Sequence, residues 1–572
     1  MTTVAETIVS ALADLGVRQV WGVVGDALNP ITDAIRTDDR IEWIGVRHEE
    51  AAAFAAGAQA QLTDSLGVCM GTVGPGSVHL LNGLYDAKKS HAPVLAICGQ
   101  VPTSDVGSNF FQEVDNDAVF ADVSVFRATV TAGSQMPFLL EQAVNSALAR
   151  RGVAVLTVPG DVGELDVDQS STNFVAPLRR TVAARSDIET AAAALNSGGK
   201  VTMLVGHGAR AARDEVLAVA ETLGAPIVLT LKAKEGLEQD NPYQLGQTGL
   251  IGNPAAHAAL HSADTLLLVG TDFPYRDWLP QDKQVIQLDE RPEHIGRRAM
   301  VAHGLVGHAK ETLAQLVPLL ERRADTGHLT GHRKEYEVWQ AAQRRLVDPD
   351  HDTKLVGRLR KHLDNPDELI RPELVAAAVD SAATDDAIFT TDTGMSTVWL
   401  SRFVEMRGQR RLLGSFNLGS MANAMPQALG AQALDRDRQV IAFCGDGGLM
   451  MLLGDLRTAV TYRLPVTFVV FNNGRLGMVK LEQEQSGLPE FGTELDNPDL
   501  SAVATALGLQ AITVTRPGDV PDAVAVALAH DGPYLLDLRT NPDEISVPPR
   551  PTVSQGWGFA IAKMKETLSS RE

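Results

Sequence analysis

The sequence predicts an α/β protein made of three consecutive doubly wound parallel-sheet domains. Two observations carry that prediction. Short apolar β-type runs alternate with amphipathic helical stretches along nearly all of the chain, the pattern of parallel α/β layers. At 572 residues the chain is also too long for one core. With 44% hydrophobic residues and three cysteines that share no CxxC spacing, it fits a globular protein of a reducing compartment, without a disulfide framework or a zinc site. A net charge of −21 argues against nucleic acid and anionic lipid as general partners. The expected location is cytoplasmic, with contact at the inner face of the cell membrane left open, because no run approaches the ~18 apolar residues of a membrane span.

The first block, 1–180, opens with a helix in which Val4, Ile8, Leu12 and Leu15 recur at helical spacing. Its strands read "RQVWGVVGD", "IEWIGV", "LGVCMGTVGPG", "PVLAICG" and "VAVLTVPGD". The second, 181–330, carries "KVTMLVGHG", "PIVLTL", "DTLLLVG" and "QVIQLD". A polar stretch, 331–365, reads as an exposed helical connection. The third, 366–545, carries "DAIFTTDTG", "QVIAFCGDGG", "PVTFVVFNN" and "PYLLDLRT", and a tail, 546–572, comes last.

Within the third block "QVIAF" is a buried strand with Asp446 just past its end. Leu449, Leu452, Leu453, Leu456 and Val460 then mark one helical face, Pro465 ends the helix, and "VTFVVF" stops at Asn472. A strand–helix–strand crossover makes the two strands parallel, so Asp446 and Asn473 are expected to meet at the carboxyl edge of the sheet. A carboxylate and an amide oxygen beside a glycine turn suit Mg²⁺ holding a phosphate. Gly445, Gly447 and Gly448 let backbone approach a diphosphate at a helix N-terminus.

This GDG-to-NN arrangement resembles the diphosphate motif of thiamine diphosphate (ThDP) enzymes. "RHEEAAAFAAGAQAQLT", "LLGSFNLGSMANAMPQALGAQA", "TGLIG" and "GTDFPYR" further resemble the quinone-linked, FAD-containing pyruvate dehydrogenases of the pyruvate oxidase and acetolactate synthase family. The resemblance runs from the first helix to about residue 560. It implies a pyrimidine-binding first domain, a central FAD-binding Rossmann-like domain and a diphosphate-binding third domain. It also implies oxidative decarboxylation of pyruvate to acetate and CO₂ through a hydroxyethyl adduct of ThDP, with electrons passing to FAD and then to a membrane quinone such as ubiquinone or menaquinone. An acetolactate synthase-type carboligase and an oxygen-dependent, peroxide-forming pyruvate oxidase remain as alternatives. The partners implied are pyruvate, the quinone, a peripheral membrane contact and further copies of the chain in a homotetramer.

By position, Glu49 resembles the glutamate that protonates the cofactor's aminopyrimidine, and its place at a strand-to-helix junction among alanines suits a carboxyl that shares a proton. Glu50 has the plainer role of a helix-start acid. Gly419, Ser420 and Met421 match the segment that receives the 4′-amino group and bends the cofactor. The resemblance adds the main-chain carbonyl of Arg475 to the metal ligands Asp446 and Asn473, and lines the cofactor with Gly474, Leu476, Gly477, Met478 and Val479. Phe111, Gln112 and Glu482 match residues facing substrate, while Gly74, Pro75 and Gly76 shape a turn nearby.

In the middle block "VGHGARAA" superficially fits a dinucleotide fingerprint, but "PIVLTLK" ends in Lys232 where a nicotinamide site wants an acid. The resemblance instead assigns FAD to Thr248, Gly249, Leu250 and Ile251, to Thr271, Asp272, Phe273, Pro274 and Tyr275, and to Asp289. Three departures from the family stand out: His308 replaces a common acid, Met478 replaces a mobile phenylalanine, and the tail is short. Its stripe of Trp557, Ile561, Met564 and Leu568 is expected to pack on the body in preference to anchoring in lipid.

Overall fold

A computed structural model describes residues 2–167, 174, 180–351, 365 and 368–544. The tail stripe, Trp557 to Leu568, lies outside the described residues. Three six-stranded sheets succeed one another along the chain, and every strand pair within them is parallel. A two-residue antiparallel ribbon, Thr2–Thr3 with Asp166–Val167, ties the start of the first domain to its end.

All the strand runs expected from sequence form strands. Within the three six-stranded sheets the sequence reading passed over five others: Ser124–Thr129, Gln244–Gln247, His303–Val306, Arg411–Gly414 and Gln510–Val514. Each of the five lies at a sheet edge. An edge strand is covered on fewer sides, so its side chains need not form the continuous apolar run that marks a central parallel strand. Gln510–Val514, for example, alternates exposed and half-buried residues up to its last position.

The first helix, Val4–Asp14, starts at a capping box in which Thr3 and Glu6 exchange hydrogen bonds. The region after Asp446 is less regular than its apolar spacing suggests. The chain forms a helix at Asp446–Met451, a tighter turn at Leu453–Asp455 and a second helix at Leu456–Thr461. The stretch expected as an exposed connection begins in the helix Gly327–Gln343, which buries Leu329 and Tyr336. It packs on the middle domain, where His328 meets Thr202 Oγ1 at 2.8 Å and Arg333 donates to the Gln244 carbonyl.

The first and third domains share one core. Helix Glu49–Thr63 lies against helix Ala424–Leu434, and both are rich in alanine, so their backbones come close. A Cβ on Gly430 would sit 2.4 Å from the Ala55 carbonyl oxygen, and Gln59 Nε2 donates to the Gly430 carbonyl across the contact.

Candidate functional site

The third sheet runs in the order Arg411–Gly414, Ile388–Thr391, Val440–Gly445, Thr467–Asn472, Tyr534–Arg539, Gln510–Val514. Its four central strands end on the same side, and the residues just past their ends line one cleft that opens to solvent. Asp392 and Thr393 come from the first, Asp446 to Gly448 from the second, Asn473 from the third, and Thr540 and Asn541 from the fourth. Arg475, Leu476, Gly477, Met478, Val479 and Met421 also line it. The juxtaposition of Asp446 with Asn473 expected from the crossover is present.

Asp446 is 2% exposed. Its Oδ2 accepts from Gly474 N at 2.8 Å and from Asn497 Nδ2 at 2.7 Å. Burial nevertheless pushes the carboxyl up to about 6, with the Asn497, Gly447 and Gly474 donors pulling the other way. A buried carboxylate in that state is held short of countercharge, which a divalent cation would supply. Asn473 Oδ1 accepts from Arg475 N at 3.0 Å, which fixes the amide at the cleft wall. Asn472, its neighbour in the strand, is buried and donates instead to Asp537 Oδ1 at 2.7 Å. The two asparagines therefore do different work.

The glycines next to Asp446 form a cradle. A Cβ on Gly448 would meet Asp392 Oδ2 at 2.4 Å, and one on Gly447 would meet Leu476, Leu495 and Met421 at 3.0–3.4 Å. One on Gly445 would enter open space. Hard oxygen donors beside a glycine turn and a helix start fit a metal-bound diphosphate.

Asp392 and Asn497 were missed by the sequence reading. Asp392 Oδ1 accepts from Ala424 N at 2.9 Å and Oδ2 from Gly445 N at 3.2 Å, so one carboxyl ties the "GSMANA" segment to the glycine turn. Burial raises it to about 7, against the pull of the backbone donors. Its signal was available, since "TTDTG" puts an acid and a glycine at a strand end, as "CGDGG" does. Asn497 sits in irregular chain, and its proximity to Asp446 comes from tertiary folding.

Glu49 lies elsewhere. It is 7% exposed at the N-terminus of its helix, and Oε2 is 3.0 Å from His79 Nδ1. The His79 ring stacks on His48 at 4.5 Å, and Gly76 crowds Glu49 Oε1 so closely that a Cβ would come within 3.1 Å. Gly74 takes φ +67° in the same turn, against the Gln112 carbonyl. Among the described residues that line the cleft of Asp446, Glu49, Phe111 and Gln112 are absent. Phe111 is 78% exposed. Glu50 connects the two regions: Asn82 Nδ2 bridges Glu50 Oε1 (2.7 Å) and Ser420 Oγ (2.9 Å). Gly419, at φ +79°, turns the chain just before Ser420.

The residues expected to hold a flavin gather at the carboxyl edge of the middle sheet. Thr248 and Thr271 are buried, and the Thr248 hydroxyl has no partner there. Gly249, at φ +86°, abuts Phe273, whose ring meets Tyr275 edge-on at 5.6 Å, and Pro274 lies between the two. Asp289 is buried, accepts from Arg291 N at 2.9 Å and lies 3.5 Å from His294. Asp272 faces Arg297 and Arg298 at 3.8 Å. An orphaned hydroxyl, a buried acid, a half-buried acid and arginines fit a ribose and a diphosphate. His308, at the expected departure, caps no amide with its side chain but pairs with Glu311, which returns an acid to that corner.

This middle-domain group reaches the cleft. Leu250 shares a small cavity with Met395, Val398, Met478, Leu481 and Glu482, and both methionines also line the cleft of Asp446. Ile251 packs against the third-domain core. Burial and the Glu482 charge raise the Tyr275 hydroxyl above its ordinary value.

Comparison with known proteins matches residues 2–119 to the N-terminal thiamine pyrophosphate-binding domain of thiamine pyrophosphate enzymes, 188–316 to their central domain and 392–538 to their C-terminal thiamine pyrophosphate-binding domain. A Bacillus subtilis protein described as thiamine pyrophosphate-containing, YdaP, is 36% identical over 100% of this chain and 97% of its own. A pyruvate oxidase of Lactiplantibacillus plantarum is 32% identical over 93% of this chain and 87% of its own. An acetolactate synthase large subunit of Corynebacterium glutamicum is 31% identical over 95% and 87%.

Proposed function

Because the chain belongs to the thiamine pyrophosphate enzyme family, we propose that it oxidatively decarboxylates pyruvate to acetate and CO₂, with FAD taking the electron pair and passing it to a membrane quinone. The observation that supports this reading is the small cavity in which Leu250, from the flavin-holding stretch, meets Met478 and Glu482 at the edge of the cleft. A carboligase needs no electron path between those two regions.

When bound, ThDP supplies a ring that accepts the electrons released by decarboxylation, and FAD supplies the two-electron acceptor. Asp446, Asn473 and the Arg475 carbonyl would hold Mg²⁺, which would carry countercharge to the diphosphate. The Gly447–Gly448 turn lets main-chain groups approach that diphosphate, and Met421 supports the ring system. Glu49 holds the proton that activates the pyrimidine, oriented by His79 on one oxygen and confined by Gly76 on the other. Thr248 to Ile251, Thr271 to Tyr275 and Asp289 hold FAD. Phe111, Gln112 and Glu482 would face the substrate, and Met478 lines both the cleft and the cavity it shares with Leu250.

Glu49, Phe111 and Gln112 reach a substrate only if another copy of the chain brings them to the cleft. The active form is therefore at least a dimer, with the first domain of one copy facing the third domain of the next, and a homotetramer is inferred by family likeness. Among the described residues no helix is long and apolar enough to cross a membrane; a peripheral contact with the membrane is proposed on family likeness alone. The domain bounds proposed are 1–180, 181–330 and 366–545, with 331–365 as the connection.

The test is the flavin's visible absorbance after anaerobic addition of pyruvate to enzyme supplied with ThDP and Mg²⁺. Rapid bleaching is expected. An oxidised flavin while CO₂ is still released, with acetolactate as product, would overturn the redox reading in favour of carboligation. Peroxide formed at the rate of turnover in air would replace the quinone with oxygen.

A further inference from the structure

Asn497 occupies a position that no motif marks, in the segment between the helices Gly477–Gln485 and Leu500–Leu507. An amide nitrogen has two hydrogens to give, and Asn497 Nδ2 has two acceptors: Asp446 Oδ2 at 2.7 Å and Asn472 Oδ1 at 3.2 Å. Asn472 in turn donates to Asp537 Oδ1, and Asp537 Oδ2 accepts from Thr513 Oγ1 at 3.2 Å. A chain of polar side chains thus runs from the interior of the third sheet to the carboxylate at the cleft. It leaves the Asn497 amide only one sensible orientation, nitrogen toward the carboxylate.

The same segment lies antiparallel against the loop that carries the metal-holding residues. Leu476 N donates to the Thr493 carbonyl and Leu495 N to the Gly474 carbonyl, both at 2.8 Å, around an Arg475–Glu494 bridge. Arg475 also pairs with Glu490, and with Glu494 at 3.1 Å. Residues 490–497 therefore form a strap over 473–476, and Asn497 is its side-chain anchor on Asp446.

Resting on the metal role of Asp446 proposed above, we propose that Asn497 is a positioning residue for the metal: it commits Oδ2 of Asp446 to hydrogen bonding, leaves Oδ1 as the ligand oxygen, and couples closure of the strap to metal binding. A carboxylate aimed by a fixed donor loses less freedom on binding the ion, which is why groups behind metal ligands affect affinity. Strap and metal strengthen each other, because both need the same carboxylate orientation.

Two variants test this. Asn497→Asp keeps the shape and loses the donor; Asn497→Ala loses both. Mg²⁺ is titrated at saturating ThDP by calorimetry, and amide hydrogen exchange is monitored at Leu476 and Leu495. Both variants should bind Mg²⁺ about 10–100-fold more weakly, and protection of the two amides should shift to correspondingly higher Mg²⁺. Excess Mg²⁺ should restore that protection, which it would not do for a merely misfolded strap. Glu494→Ala, which removes an exposed ion pair but not the anchor, should stay within about threefold of wild type. Mg²⁺ affinities within about threefold of wild type in both Asn497 variants would overturn the proposal, as would wild-type protection that ignores the metal. None of these readouts needs pyruvate turnover, so they stand or fall apart from the redox reading.

Discussion

At the scale of single residues, the cleft concentrates carboxyl groups whose burial keeps them protonated longer than usual. Asp392 is held at about 7 against an ordinary 3.8. Over that interval the unfolded chain has given up this proton while the folded one retains it. The contribution to stability is thus complete below about pH 4 and lost as pH rises through about 7. The apoprotein's melting temperature should fall across this window, and Asp392→Asn should flatten the fall, as a thermal melt series in pH would show. Asp446→Ala removes the one carboxylate proposed as a metal ligand, so Mg²⁺-dependent ThDP uptake should disappear in calorimetry while flavin content persists. Glu49→Gln should slow turnover by roughly 10²–10⁴ and leave ThDP affinity near wild type, the signature of a lost proton-transfer group. Retained turnover in that variant would remove Glu49 from the mechanism.

At the scale of elements, legibility tracked coverage. Central strands such as Val440–Gly445 are buried on both faces and read as unbroken apolar runs, so sequence located them and, through the crossover rule, the meeting of Asp446 with Asn473. Of the six edge strands of the three sheets only Glu42–Gly45 was read, and the others, such as Gln510–Val514, did not show. Nor did the break after Met451, because apolar spacing reports which side faces the core and not whether hydrogen bonding stays regular. The two helices shared by the first and third domains give a sharp test of close packing. Gly430→Ala forces a Cβ to 2.4 Å from the Ala55 carbonyl and should cost about 1–3 kcal/mol in urea unfolding. Gly445→Ala meets nothing within 4 Å. It should change stability by less than about 0.5 kcal/mol yet weaken ThDP binding, since the space its methyl enters is the cleft.

At the scale of the whole molecule, the two halves of the proposed chemistry sit apart on one chain. Glu49 is set in the first domain's own turn, and Asp446 at the far edge of the third sheet. If copies complete each other's sites, mixing inactive Glu49→Gln and Asp446→Ala proteins should restore activity. In a statistical mixture half the dimers are hybrids with one intact site of two, so about a quarter of wild-type activity is expected after reassembly. No recovery under conditions that exchange subunits would place both groups in the service of one chain. By itself the sequence located the three α/β domains, the glycine turn and the meeting of Asp446 with Asn473, because each depends on spacing along a strand, a turn or a crossover; the part proposed for Glu49 came from family resemblance and not from spacing. Tertiary structure alone decided that Asp392 ties the segment 419–424 to the glycine turn, that Asn472 faces inward while Asn473 faces the cleft, and that Asn497 holds Asp446. These contacts join residues dozens of positions apart through the packing of separate elements, and no local periodicity records such a meeting.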